Sequence, residues 1–166
     1  MKIRTMIVAM ALVLSPATSH ALAASACSLV TRAELEKITG TKFDSTEKAY
    51  LYNFPGGGSS CTYARSQIQI VVYSGVGSEK KYEQYVKANY AKMQASGAPN
   101  MTKHPVSGVG NSAYFMSPRM PAAILVVSKG LNTFAVNMVA HNGNPESLKP
   151  ALIAVAKIVA SRVGLL

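Results

Sequence analysis

The chain has 166 residues, 49% of them hydrophobic and only 14% charged, with two Cys, no Trp and a formal net charge of +10. A composition so apolar and so sparsely charged excludes intrinsic disorder, and two cysteines exclude a disulfide-dense mini-protein. The length matches one domain rather than several.

The amino terminus carries the first signal. Lys2 and Arg4 precede an unbroken apolar run over 6–14, Ser15 and Pro16 interrupt it, and Ala21-Leu22-Ala23 places small residues where a signal peptidase reads them. The pattern predicts a secretory signal peptide over 1–23 and a single exported domain over 24–166. The apolar run is too short for a spanning helix, which needs roughly 20 residues. A second small-x-small site, Ala24-Ser25-Ala26, stands directly before Cys27 and leaves an acylated lipoprotein as a minor alternative. Against it, Ala24 occupies the position where a larger aliphatic residue is usual. Cleavage after Ala23 removes Lys2 and Arg4 and lowers the formal charge from +10 to +8. No later segment has the length and apolarity of a transmembrane helix, so the expected location is the periplasm or the extracellular space. In such an oxidising compartment Cys27 and Cys61 most simply form one disulfide. A redox or metal-binding thiol pair would want a short C-x-x-C spacing.

The elements follow in order. Thr31-Arg32-Ala33-Glu34 reads as a capping box, with Val30 and Leu35 at the staple positions, and opens a short helix ending at Gly40. Tyr50-Leu51-Tyr52 is a candidate strand, and residues 54–60 read as a glycine-rich hairpin connection. That run lacks the Lys-Ser/Thr ending of a phosphate loop and leads into a strand, not a helix. Residues 61–65 and 67–73 read as paired strands, with Ile68, Ile70 and Val72 at the period of a half-buried strand. Ser78 caps a second helix in which Tyr82, Val86, Asn89/Tyr90 and Met93 recur at helical spacing. After a loop around His104-Pro105 come a short strand at 113–116 and a clear hairpin, 122–129 with 132–139, turned by Gly130-Leu131. A last helix carries the stripe Leu148, Leu152, Val155, Val159 and Val163, with Pro150 tolerable only in its first turn. The order helix, strands, helix, strands, helix predicts an α+β fold, an antiparallel β-sheet packed by helices.

Three segments carry a resemblance: Cys27-Ser28-Leu29-Val30-Thr31-Arg32-Ala33-Glu34, Cys61-Thr62-Tyr63, and Val106-Ser107-Gly108-Val109-Gly110-Asn111-Ser112-Ala113-Tyr114. The chain resembles a group of exported bacterial domains of unassigned activity that open C-S-L-L-T-x-A-E and later show C-x-[WY] and G-[VL]-G-[DN]-x-A. Those domains are similar to the PsbP-like α/β class. The resemblance spans most of 27–163, implies that sandwich fold and the disulfide, and transfers no catalytic residue.

Candidate chemistry is thin. Hydrolysis by a Ser-His-Asp set would have to use Asp44 with His104 or His141, and no G-x-S-x-G elbow is present. Paired-carboxylate catalysis would draw on seven acids, most of them engaged in caps and helix faces. Copper binding through Met101 and His104, Met116 and Met120, or Met138 and His141 competes with methionine's ordinary role as core filler. Lys80, Lys81, Lys87 and Lys92, interleaved with Tyr82, Tyr85 and Tyr90, form a candidate surface for an anionic polymer or membrane. Tyr82 and Tyr90, however, fall on the stripe that should face the sheet, and no nucleic-acid module is present. The expectation is a non-catalytic binding or accessory protein of the cell envelope, without cofactor or metal. Its partner would be an envelope protein or an anionic surface component. The alternative is a periplasmic carrier of a small apolar or metal ligand, and a hydrolase ranks last.

Overall fold

The computed structural model describes residues 25–44, 49–54, 57–63, 67–95, 102–117, 121–140 and 143–163. The signal segment 1–23, Met101, Met120 and His141 lie outside the described residues, as does the side chain of Lys92. A short 3₁₀ turn (Ala26–Ser28) leads into helix α1 (Arg32–Thr39). The Thr31 hydroxyl accepts from the Glu34 amide, the Glu34 carboxylate accepts from the Thr31 amide, and Gly40 closes the helix in the left-handed region at φ 68°. The capping box thus satisfies donors that helix geometry would otherwise orphan.

Strands β1 (Tyr50–Phe54), β2 (Gly58–Tyr63) and β3 (Ile68–Tyr73) form an antiparallel meander, and helix α2 (Ser78–Ala95) follows. Strands β4 (Lys103–Pro105), β5 (Ser112–Met116), β6 (Ala122–Lys129) and β7 (Asn132–Val139) form a second antiparallel run. The two runs join where β3 pairs with β7, giving one seven-stranded sheet in the order β1-β2-β3-β7-β6-β5-β4. A second 3₁₀ turn (Pro145–Leu148) opens into helix α3 (Lys149–Val163), whose Pro150 lies in the first turn. This is the α+β, antiparallel arrangement predicted above.

Helices cover the sheet on both faces. One face carries Ile68, Ile70, Val72, Leu125, Phe134 and Val136, packed against Leu35 of α1 and against Leu152, Val155, Val159 and Val163 of α3. The other carries Val71, Tyr73, Met116, Val126 and Ala135, packed against Tyr82 of α2. Three sequence readings change accordingly. Strand β3 is buried on both sides, not half-buried, because α2 crosses the face that Val71 occupies. Residues around His104-Pro105 are not a loop: they pair with β5 as the short edge strand β4. The glycine-rich segment does connect a hairpin, but only 55–57 stand between its strands, since β1 runs through Phe54 and β2 begins at Gly58. Gly58 is required there, because a Cβ at that position would meet the Tyr73 ring at 2.5 Å.

Candidate functional site

Cys27 and Cys61 form the disulfide, with Cα atoms 4.9 Å apart and a sequence separation of 34. It ties the segment before α1 to β2, at the edge of the larger core. Tyr63, two residues beyond Cys61, donates its hydroxyl to the Val30 carbonyl at 2.8 Å. Burial, with the nearby Glu34 charge, pushes that hydroxyl up to about 12. Arg162 near the end of α3 closes the same junction. Its guanidinium donates to the Leu29 carbonyl at 2.7 Å and grips both Glu34 oxygens, at 2.9 and 2.5 Å. Beyond this junction, the other ends of α1 and α3 both line a cleft.

The cleft has a volume of about 330 Å³. Its first wall is the end of α1 and the following turn: Ile38, Thr39, Thr41 and Phe43. Glu36 holds that turn in place, accepting from the Phe43 amide at 2.9 Å and pairing with Arg32 at 3.1 Å and Lys42 at 3.4 Å. The Phe43 amide bond, followed by the Arg32 and Lys42 contacts, holds the Glu36 carboxyl below the usual carboxylate range. Arg32 also lies 5.9 Å over the Phe43 ring, fixing the aromatic lip. The facing wall is the start of α3: Ser147, Leu148, Pro150 and Ala151. Asn144 shapes it by accepting from the Glu146 amide at 3.1 Å through its side chain. Ile68 and Met138, with Gln67 and Val139, form the floor where β3 meets β7. Hydrocarbon dominates this lining, and its polar groups are the hydroxyls of Thr39, Thr41 and Ser147 and the Gln67 amide. Such a mixture, in a volume within the roughly 300–1,000 Å³ range of small-molecule sites, suits an uncharged and largely apolar ligand.

A second cavity of about 140 Å³ lies at the same end of the β3–β7 pair. It shares Gln67, Met138 and Val139 with the cleft and adds Thr62, Gln69, Ala122 and Asn137. Asn137 donates to the Gln69 amide oxygen at 3.0 Å, and its own amide oxygen is buried without a hydrogen-bond partner. A buried acceptor left so is costly.

Among the described residues, those singled out for charge or metal chemistry lie on α2, β4, β5 and β7. Lys80 and Lys87 are exposed and Lys81 is half-buried on α2, whereas Tyr82 is buried against the sheet and Tyr85 packs on Phe54 and Tyr73. Of the interleaved tyrosines, Tyr82 and Tyr85 thus pack toward the sheet, while the side chain of Tyr90, like that of Lys92, lies outside the described residues. Burial, followed by the charges of Glu83 and Glu79 on the same helix, pushes the Tyr114 hydroxyl up to about 12. His104 is exposed on the edge strand β4. Met138 is buried in the core beneath α1 and α3, and Met116 in the core beneath α2; the residues paired with them above, His141 and Met120, lie outside the described residues. Among the described residues, no group of three or more His, Cys, Asp or Glu stands close enough to hold a metal ion.

Comparison with known proteins found no match to any protein-family model, curated protein or solved structure. The apolar cleft residues escaped sequence reasoning because their types are those of an ordinary core, and its polar ones because their types are those of an ordinary surface. Only the Pro150 turn and the Gly40 stop marked places where chain direction changes beside apolar residues.

Proposed function

We propose that the protein is an exported, non-catalytic binding protein that carries a small, uncharged, largely apolar molecule in the cleft between α1 and α3. The cleft itself carries this reading: it is lined by hydrocarbon with a few neutral hydroxyl and amide groups. Export is supported by the amino-terminal signal pattern, by the Cys27–Cys61 disulfide, and by the resemblance to exported bacterial domains. Among the described residues no helix is long and apolar enough to cross a membrane. The disulfide also weighs against the lipoprotein alternative, because it occupies the Cys27 sulfur that acylation would use. The hydrolase alternative gains nothing from His104, which sits on an edge strand away from the cleft. Lys80 and Lys87 supply general attraction to anionic envelope components rather than a recognition site.

A neutral naphthylamine dye, fluorescent in apolar surroundings, tests the cleft. The dye should bind the native protein, and Ala151→Trp, which fills the cleft from the α3 side, should weaken it about tenfold or more while leaving far-ultraviolet circular dichroism unchanged. Equal binding to the folded variant would overturn the assignment. Native mass spectrometry of protein purified from its host envelope then identifies the retained molecule.

A further inference from the structure

The two edges of the sheet are built differently. At one edge, β4 is three residues long and consists of Lys103, His104 and Pro105. Lys103 lies 4.0 Å from Glu83 and 4.5 Å over the Tyr114 ring. A short strand with a charge and a proline is how proteins blunt an edge against pairing. At the other edge, β1 is Tyr50-Leu51-Tyr52-Asn53-Phe54, with no Lys, Arg, His, Asp, Glu or Pro. It pairs with β2 along its whole length without a bulge, so its outer row of backbone groups is regular. Tyr50, Leu51 and Tyr52 are 73%, 47% and 60% exposed.

The geometry points to β1 as a self-association edge, pairing antiparallel with β1 of a second copy of this chain about a two-fold axis at Tyr52. One feature selects a second copy over other strands. In that register Tyr52 faces its own equivalent, Tyr50 faces Phe54 and Leu51 faces Asn53, so every position on the α2 side becomes an aromatic cross-strand pair. The pairs extend an aromatic cluster already present, in which Tyr52 meets Phe54 at 5.0 Å and Phe54 meets Tyr73 at 5.9 Å and Tyr85 at 5.0 Å. Charge does not oppose the pairing at this edge. Each copy carries a formal +10, or +8 after removal of 1–23, so approach is opposed wherever lysines face one another. A strand without a charged residue is where two such molecules can touch. The three exposed side chains offer on the order of 700 Å² across both copies, at the low end for a specific interface, so the dimer is weak and concentration-dependent.

Analytical ultracentrifugation over a concentration series tests it, together with charge variants at the two-fold axis. The native protein should rise toward twice the monomer mass with concentration. Tyr52→Lys and Tyr52→Glu should each remain monomeric with unchanged circular dichroism, because each sets like charges face to face on a site that is solvent-exposed in the monomer. Mixing the two variants should restore association, since opposite charges then meet at the axis. A native protein that stays monomeric at every concentration overturns the proposal. So does a Tyr52→Lys variant that still dimerises, or a mixture that fails to associate.

Discussion

Glu34 shows how much one side chain can be asked to hold. Its carboxylate completes the capping box of α1, accepts from the Thr31 hydroxyl at 2.8 Å, and receives the Arg162 guanidinium. The Arg162 bonds first, then the Thr31 amide and hydroxyl, bring its carboxyl down to about 2. A carboxyl lowered from its ordinary 4.5 stabilises the fold above about pH 4.5, and that contribution drains away as pH falls toward 2. Both partners are partly exposed, Glu34 at 30% and Arg162 at 37%, so solvent screening reduces the worth of the pair. Glu34→Gln should therefore cost about 1–2 kcal/mol at neutral pH and flatten the acid limb of stability. Urea titrations at several pH values check this. An equally steep loss between pH 4.5 and 2 in the variant would assign the acid sensitivity to other groups.

At the scale of elements, the segment between β4 and β5 has a physical reason for its Gly-Val-Gly-Asn sequence. Val109 is buried, and Asn111 links two turns: its amide donates to the Ser128 carbonyl at 2.8 Å, and its side chain accepts from the Gly130 amide at 2.7 Å. Gly110 passes so close to β6 that a Cβ would lie 2.6 Å from the Ser128 carbonyl oxygen, at a φ of 64°. Gly110→Ala should thus combine left-handed strain with a backbone clash and destabilise by about 2–4 kcal/mol, read from the midpoint of thermal unfolding. A change below about 0.5 kcal/mol, the usual range for a neutral surface position, would show that the turn can move away at little cost. The β6–β7 hairpin also caps α3. Lys129 donates to the Ala160 carbonyl at 2.7 Å, and Asn132 donates to that of Val163 at 3.0 Å. Carbonyls that a helix end leaves unpaired are met by side chains from the neighbouring turn.

For the molecule as a whole, the disulfide acts mainly through the unfolded chain. Joining residues separated by 34 positions restricts the denatured ensemble, a contribution of roughly 3–4 kcal/mol in the chain-entropy account. Removing both cysteines, as Cys27→Ser with Cys61→Ser, should lower the urea midpoint and raise the m-value, because the freed chain exposes more surface on unfolding. An unchanged midpoint would mean that Tyr63, Arg162 and the core already hold the amino-terminal segment unaided. That segment is short of area but rich in contacts: Leu29 and Val30 are buried, and Ala26 donates its amide to the Ser59 hydroxyl.

Much of this architecture was legible before any tertiary contact was known. The capping box, the glycine stop at Gly40, the alternation in β3, the β6–β7 hairpin and the stripe on α3 all follow from interactions between near neighbours, and near neighbours are what a sequence displays. The disulfide pairing was legible too, because two cysteines allow a single intramolecular bridge. Other features came from the packing. Helix α2 covers Val71 and so turns a strand with one buried face into one with two. Residues at 103–105 become a strand only because β5 offers them a partner. Arg162 finds Glu34 across 128 positions of sequence. The cleft belongs to the same class: its walls and floor come from α1, the start of α3 and the β3–β7 pair, and most of its residues are of apolar type. Local hydrogen bonding and hydrophobic periodicity determine which elements form. Which apolar surfaces are left without a partner, and therefore able to bind something else, is decided only when distant elements compete to cover them.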